Sequence, residues 1–175
     1  HNPYHDNGIK IFQKGGIKLS DDQEADLESM ILGPAIDLPS NIGTIGYADD
    51  AQDKYAQFLV KKFNFQSNAG KLKLVIDAAN GAASFCAPKI FKADIFDVTF
   101  IHNQPNGINI NEACGSQHTQ DLSGHVKKID ADLGLAFDGD ADRLIAVDET
   151  GRQITGDTLL AILAGFAKQT GKLGN

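Results

Sequence analysis

The sequence predicts an α/β fold, a mixed and mainly parallel sheet flanked by helices. Three observations carry that prediction. The runs Leu72–Ile76, Leu133–Phe137 and Leu144–Val147 are nearly continuous in apolar residues, as in strands buried on both faces. Segments with helical periodicity stand around and between the first two, which implies crossover connections and parallel pairing. The third run follows the second too closely for a crossover helix, so that pair is expected to be antiparallel.

Taken in order, residues 1–19 are rich in Gly and Asn and hold one short apolar stretch, Ile9-Lys10-Ile11-Phe12. They read as a loop, a strand and a turn at Gly15-Gly16. Ser20 followed by Gln23 forms a capping box, so a helix starts there with Leu27, Met30 and Ile31 as its apolar face. Gly33-Pro34 ends it. Residues 34–48 carry two Pro and two Gly and read as a linker. A second helix spans about residues 49–63, with Ala51, Tyr55, Phe58, Leu59 and Phe63 on one face, and its aromatic residues read as core.

After the first buried strand, Asn80-Gly81 reads as a plain turn in preference to a site where backbone N–H groups meet a phosphate. Residues 82–93 are expected to be helical, with Pro88 inside. Phe96, Val98 and Phe100 alternate with polar residues and mark another strand. Thr119 is placed to cap a helix whose face is Leu122, Val126 and Ile129. A turn at Glu149-Thr150-Gly151-Arg152 precedes a final helix over about 157–169, with Leu159, Leu160, Ile162, Leu163 and Phe166. No internal repeat or low-complexity tract interrupts the pattern.

Composition narrows the class. The chain has 175 residues, 42% hydrophobic and 22% charged, which excludes collagen-like, mucin-like and wholly disordered chains. No apolar run is long enough for a transmembrane helix. With 16 basic against 23 acidic residues and no basic stripe, neither a nucleic acid nor a membrane is expected as partner. Two cysteines, Cys86 and Cys114, read as reduced thiols of a cytoplasmic protein. The opening His1-Asn2-Pro3, without Met, reads as a processed end or a piece of something longer.

The strongest chemistry lies in Asp138-Gly139-Asp140-Ala141-Asp142-Arg143. Three carboxylates occupy alternate positions at the end of a buried strand. Two unit charges about 4 Å apart repel by roughly 1 kcal/mol in water and roughly 4 kcal/mol at a protein-like effective dielectric. The cluster must therefore splay into solvent or share a cation, and hard oxygens select Mg²⁺, Ca²⁺ or Mn²⁺ over zinc. The spacing imitates an EF-hand, with Ile145 and Glu149 also in register. Arg143 stands where that loop needs Gly, however, and the flanks read as strands, so the EF-hand is rejected. Arg143 fits a phosphate bidentately beside a cation, or pairs with its own Asp neighbours; the sequence leaves both open. His5, His102 and His125 read as surface or loop residues, no His pair has zinc-ligand spacing, and Cys114 reads as packing.

This loop resembles the metal loop of the α-D-phosphohexomutase family. Other segments agree in the same order. His1-Asn2-Pro3 with Asn7-Gly8-Ile9-Lys10 is similar to the stretch following that family's catalytic phosphoserine, and Asp77-Ala78-Ala79-Asn80-Gly81 also fits. Pro105-Asn106-Gly107-Ile108-Asn109-Ile110-Asn111, with Cys114-Gly115-Ser116 and His118, is closest to the bacterial branch acting on glucosamine phosphate. The resemblance implies residues 1–45 as the C-terminal part of domain 1 and its linker. It implies residues 46–152 as domain 2 with the metal loop, and 153–175 as the start of domain 3.

The implied activity interconverts glucosamine-6-phosphate and glucosamine-1-phosphate through a phosphoserine enzyme and a bisphosphate, supplying UDP-N-acetylglucosamine and peptidoglycan. Mg²⁺ is the implied cofactor, held by Asp138, Asp140 and Asp142. Arg143 would lie near the transferring phosphate, Lys10 would act as general acid/base, and His1 and Asn2 would flank the nucleophile. Such a lysine needs a pKa lowered by burial or nearby cations. The implied partners are the sugar phosphate and the remaining domains of a parent chain, with a homodimer left open. Two departures matter. Ala141 replaces the family's Gly, and no serine here stands in the nucleophile's context, so the 175 residues alone are expected to be inactive. The competing readings are a mannose- or glucose-phosphate mutase with the same mechanism, and a non-catalytic divalent-cation-binding module.

Overall fold

The computed structural model describes residues 2–6, 8–34, 44, 46–63 and 70–174. It divides into two units, Asn7–Ala48 and the remainder, His1–Asp6 with Asp49–Asn175.

In the smaller unit, strands β1 (Phe12–Gln13) and β2 (Ile17–Lys18) pair antiparallel, with Phe12 opposite Lys18. Gly15 and Gly16 make the turn in left-handed conformations, φ 91° and 74°. Helix α1 (Asp21–Leu32) starts at Ser20, whose hydroxyl accepts the Gln23 N–H while the Gln23 side chain accepts the Ser20 N–H, so the expected capping box is present. Its expected apolar face is not a core face. No α1 residue is buried among the described residues, and Met30 and Ile31 are exposed. Most of the expected linker, residues 35–43 and 45, lies outside the described residues.

The larger unit has helix α2 (Ala51–Phe63), strand β3 (Leu72–Asp77), helix α3 (Ala83–Ile90), strand β4 (Phe96–Ile101), a 3-10 turn at Gly115–Gln117 and helix α4 (Gln120–Lys128). Strands β5 (Leu133–Phe137), β6 (Leu144–Asp148) and β7 (Gln153–Ile154) and helix α5 (Gly156–Gln169) complete it. The sheet order is β4-β3-β5-β6-β7. Strands β4, β3 and β5 are parallel, and β5–β6 is antiparallel, Ala136 facing Ile145. The mixed, mainly parallel sheet is therefore as expected, with the short β7 added by the Glu149–Arg152 turn.

Alternation along β3 builds two cores. Leu74 and Ile76 point to the α3 side with Ala83, Ala87 and Phe96, while Val75 points to the α4 side with Leu122, Val126, Ala136 and Val147. Burying a Leu or Val side chain is worth about 1.5–3 kcal/mol, and Leu122 and Val126 are the α4 residues buried against the sheet.

Three local expectations need correction. Tyr55, Phe58 and Phe63 are exposed, not core; on α2 only Ala56 is buried among the described residues, and Tyr55 and Phe63 line an open cavity against α3. Periodicity reveals an apolar face but not what covers it. Thr119 precedes α4 without capping it: its backbone, at φ −84° and ψ 1°, is not the extended conformation of a capping residue, and its hydroxyl donates to Gln153 Oε1. The helix over 82–93 is shorter, ending at Ile90 two residues after Pro88.

The β6–β7 turn carries a pH-dependent contribution. Asp148 Oδ1 accepts the Thr150 hydroxyl and the N–H groups of Arg152 and Thr150, and Oδ2 accepts Arg152 Nε–H. These bonds, the Thr150 hydroxyl first, favour the ionised carboxylate and lower its pKa from 3.8. A lowered folded-state pKa gives stability that is complete above pH 3.8 and lost as pH falls through the folded value. Acid unfolding of Asp148→Asn should therefore lack that portion of the wild-type pH slope, as measured by denaturant midpoints taken between neutrality and strong acid.

Candidate metal and phosphate site

The carboxyl ends of β3, β4 and β5 lie side by side, and β4 and β5 flank β3. The chain thus reverses direction across the sheet at β3, and the crevice outside such a switch point is where α/β sheets bind ligands. Three loops meet there: residues 78–82, 102–118 and 138–143.

Backbone strain collects in these loops. Of the described non-glycine residues with positive φ, all but Asp130 lie here: Ala79, Asn80, His102, Asn111, Ala113 and Ala141. Such conformations persist only where surrounding bonds impose them. Those bonds are visible. Asn80 Oδ1 accepts the Gln104 N–H, its Nδ2 donates to Asn109 O, and its own N–H donates to His102 O at 2.6 Å. Asn109 Oδ1 accepts the Asn106 N–H and its Nδ2 donates to Gln104 O, while Asn106 Oδ1 accepts the Ile108 N–H. The Asn-rich stretch after Pro105 is thus consumed in holding its own loop against β3. Asn80-Gly81 is more than a plain turn. It is the point where this loop and the acidic loop are fastened together, since the Ala82 N–H donates to Gly139 O at 2.8 Å.

The acidic loop converges as expected. Carboxylate oxygens of Asp138, Asp140 and Asp142 lie within 4.8 Å of one another, Asp138 buried and the other two exposed. Asp138 Oδ1 accepts the Arg143 N–H at 3.1 Å, and Arg143 Nε lies 3.3 Å from Asp138 Oδ2 and 3.6 Å from Asp142 Oδ1. Arg143 therefore does what one of its two readings proposed, pairing with its neighbours. The side chain is still half exposed. Ala141 takes φ 60°, so the left-handed turn survives without glycine, at a cost of about 1 kcal/mol. An all-oxygen donor set fits Mg²⁺, Ca²⁺ or Mn²⁺.

Asn2 is brought to this site by a residue the sequence did not single out for the role. Asn111 Nδ2 donates to Asn2 O at 3.0 Å, and the same amide sits over Gly139, where an added Cβ would meet it at 2.6 Å. Lys10 is exposed and belongs to the smaller unit. His1 lies outside the described residues. His118 is exposed.

Behind the acidic loop lies a polar cluster that the sequence did not disclose. Asp77, fully buried at the end of β3, accepts the Ala79 N–H through Oδ1 and the Gly115 N–H through Oδ2. His102, read as a loop residue, stands between two carboxylates: Nδ1 is 3.1 Å from Asp77 Oδ2 and Nε2 is 3.2 Å from Asp121 Oδ2. Its partners are remote in sequence, so no spacing rule could find them. Cys114 is buried beside Asp77, and burial together with the charges of Asp77, Glu112 and Asp121 pushes its thiol up to about 12. It is no nucleophile at neutral pH, as expected for a packing cysteine.

Comparison with known proteins covers the whole chain. The family described as "Phosphoglucomutase/phosphomannomutase, alpha/beta/alpha domain II" matches residues 53–151, and its domain I matches residues 1–34. Proteins named phosphoglucosamine mutase from Syntrophobacter fumaroxidans and Campylobacter hominis are 50% and 44% identical over 100% of this chain. The chain spans 40% of the length of each. A crystal structure of a phosphoglucomutase/phosphomannomutase family protein from Burkholderia thailandensis superposes with a TM-score of 0.56 at 30% identity, covering 68% of this chain and 26% of the other. No described helix is long and apolar enough to cross a membrane.

Proposed function

This chain belongs to the phosphoglucomutase/phosphomannomutase family, and from that premise we propose that it is the metal-loop-bearing part of a cytoplasmic phosphoglucosamine mutase. The proposed reaction interconverts glucosamine-6-phosphate and glucosamine-1-phosphate by way of a phosphoserine and a bisphosphate, feeding UDP-N-acetylglucosamine synthesis. The observation that carries the reading is the convergence of Asp138, Asp140 and Asp142 at the switch point with Arg143 beside them.

Asp138, Asp140 and Asp142 would hold Mg²⁺, which when bound neutralises charge on a transferring phosphoryl group. The chain's own part is positional. The Arg143 N–H and Nε fix the Asp138 carboxylate, so the loop keeps one conformation. The exposed side of the guanidinium can then take two phosphate oxygens. Asn111 holds the backbone of Asn2 against the acidic loop. In this reading Asn2 and His1 flank the phosphorylated serine, and Lys10 moves a proton to or from the sugar hydroxyl. The proposed boundaries follow the same frame, residues 1–45 from domain 1, 46–152 as domain 2 and 153–175 opening domain 3, with the remaining domains as intramolecular partners.

The substrate preference rests on the named relatives and on the 105–118 segment, whose asparagines shape the rim of the crevice. A ³¹P NMR mutase assay on the full-length parent protein tests it. Glucosamine phosphate should turn over faster than glucose or mannose phosphate, and the 175-residue chain should be inactive with all three. Preference for glucose or mannose phosphate would overturn the substrate and keep the mechanism.

A further inference from the structure

We propose that Asp77, His102 and Cys114 form a second metal site, suited to a tetrahedral divalent transition ion such as Zn²⁺ and separate from the acidic loop. One carboxylate oxygen, one imidazole nitrogen and one sulfur lie within 4.8 Å of one another, with Asp77 and Cys114 buried and His102 half-buried.

The decisive atom is His102 Nδ1. It is buried and makes no hydrogen bond, yet it sits 3.1 Å from Asp77 Oδ2. The opposite ring nitrogen, Nε2, faces a second carboxylate, Asp121 Oδ2 at 3.2 Å, so the ring stands between an inner and an outer carboxylate. A cation between Nδ1 and the buried Asp77 oxygen, with the imidazole neutral and its proton on Nε2 toward Asp121, would satisfy both atoms. Metal-bound histidines are held in this way, with an outer carboxylate on the far nitrogen.

The remaining geometry agrees. Zinc–nitrogen and zinc–oxygen arms of about 2.0–2.1 Å set neighbouring tetrahedral donors about 3.3 Å apart, close to the observed 3.1 Å. Asp77 is oriented by the Ala79 and Gly115 N–H groups, so its ligand oxygen is already aimed. A donor set of S, N and O discriminates against Mg²⁺, which the acidic loop prefers. A polar depression of about 670 Å³, lined by Asn80, His102, Asn103, Gln104 and His125, gives entry from solvent. At neutral pH the Cys114 thiol carries its proton. Binding therefore forms the metal–sulfur bond as the S–H bond breaks, and the proton passes to buffer.

The test titrates the purified chain with Co²⁺ in excess Mg²⁺, reading thiolate-to-cobalt charge-transfer absorption and proton release. The expected result is one equivalent bound, the absorption band present, and a proton released. Cys114→Ser should abolish the band, Cys86→Ser should leave it, and Asp121→Asn should weaken binding about 10–100-fold. His102→Gly removes the nitrogen at a backbone φ of 46°, which suits glycine, and provides a folded variant that should also lose the ion. No stoichiometric Co²⁺ under these conditions, or a band that survives Cys114→Ser, would overturn the proposal and leave His102 as an imidazolium between Asp77 and Asp121.

Discussion

Gly81→Ala is expected to destabilise the larger unit by about 3 kcal/mol, the upper end of the usual overpacking cost. A Cβ at residue 81 would stand 2.2 Å from Gly139 O and 2.7 Å from Gly139 Cα. Those are backbone atoms of the acidic loop, so no side chain can swing aside. The loop must retreat, and the Ala82 N–H loses its bond to Gly139 O, worth about 0.5–1.5 kcal/mol. At about 2–4 °C per kcal/mol for a chain of this size, the thermal midpoint should fall by about 6–12 °C. Gly124→Ala is the control. It lies within α4 with nothing within 4 Å of its added Cβ, so helix propensity alone predicts a gain of up to about 1 kcal/mol. Equal midpoints for Gly81→Ala and wild type would show that the two loops do not meet as described. The expected damage reaches function as well as stability, because the displaced segment carries Asp138, Asp140 and Asp142.

What the sequence disclosed and what it hid follow one physical rule. Strands β3 and β5 were legible because strands buried within a parallel sheet must be apolar nearly throughout, and β6 because its own short apolar run follows too closely for a crossover. The acidic loop stood out because three carboxylates in six residues repel one another unless something offsets their charge. The capping box at Ser20 was legible because both partners are three residues apart. Several of the failures involve partners remote along the chain. Thr119 gives its hydroxyl to Gln153, Gly81 is required by Gly139, and His102 is placed by Asp77 and Asp121. The aromatic face of α2 failed for a related reason, since an apolar stripe specifies burial without naming a partner. Asn80 and Asn111 fall between these cases. They stand in segments that mark the family resemblance, while their work of holding the crevice loops together is visible only in three dimensions.

Mg²⁺ should raise the stability of the wild-type chain, and Asp140→Asn should erase that response. Without a cation, three carboxylates within 4.8 Å repel one another, and Arg143 offsets only part of this, being 3.3 Å from Asp138 and 3.6 Å from Asp142. A cation bound only to the folded loop stabilises by about 2.7 kcal/mol at one hundred times its dissociation constant. Converted at about 2–4 °C per kcal/mol, that is a rise of about 5–10 °C in the thermal midpoint. An amide in place of the Asp140 carboxylate would keep the side-chain shape and remove one of the three charges. Losing an inner ligand should cost more than the roughly 10–100-fold of an outer-shell partner, and at a 100-fold loss only about 0.4 kcal/mol of the stabilisation remains, so the midpoint becomes nearly independent of Mg²⁺ over the same range. Asp140 is exposed, and its replacement removes no packed side chain, so the metal-free variant should still unfold cooperatively. That separates this substitution from Asp138→Asn, which would also release the Arg143 N–H and loosen the turn itself. Differential scanning fluorimetry across a Mg²⁺ series decides the matter. A midpoint that climbs equally in wild type and Asp140→Asn would mean that the cation binds elsewhere, and the acidic loop would then be only a solvated turn braced by Arg143.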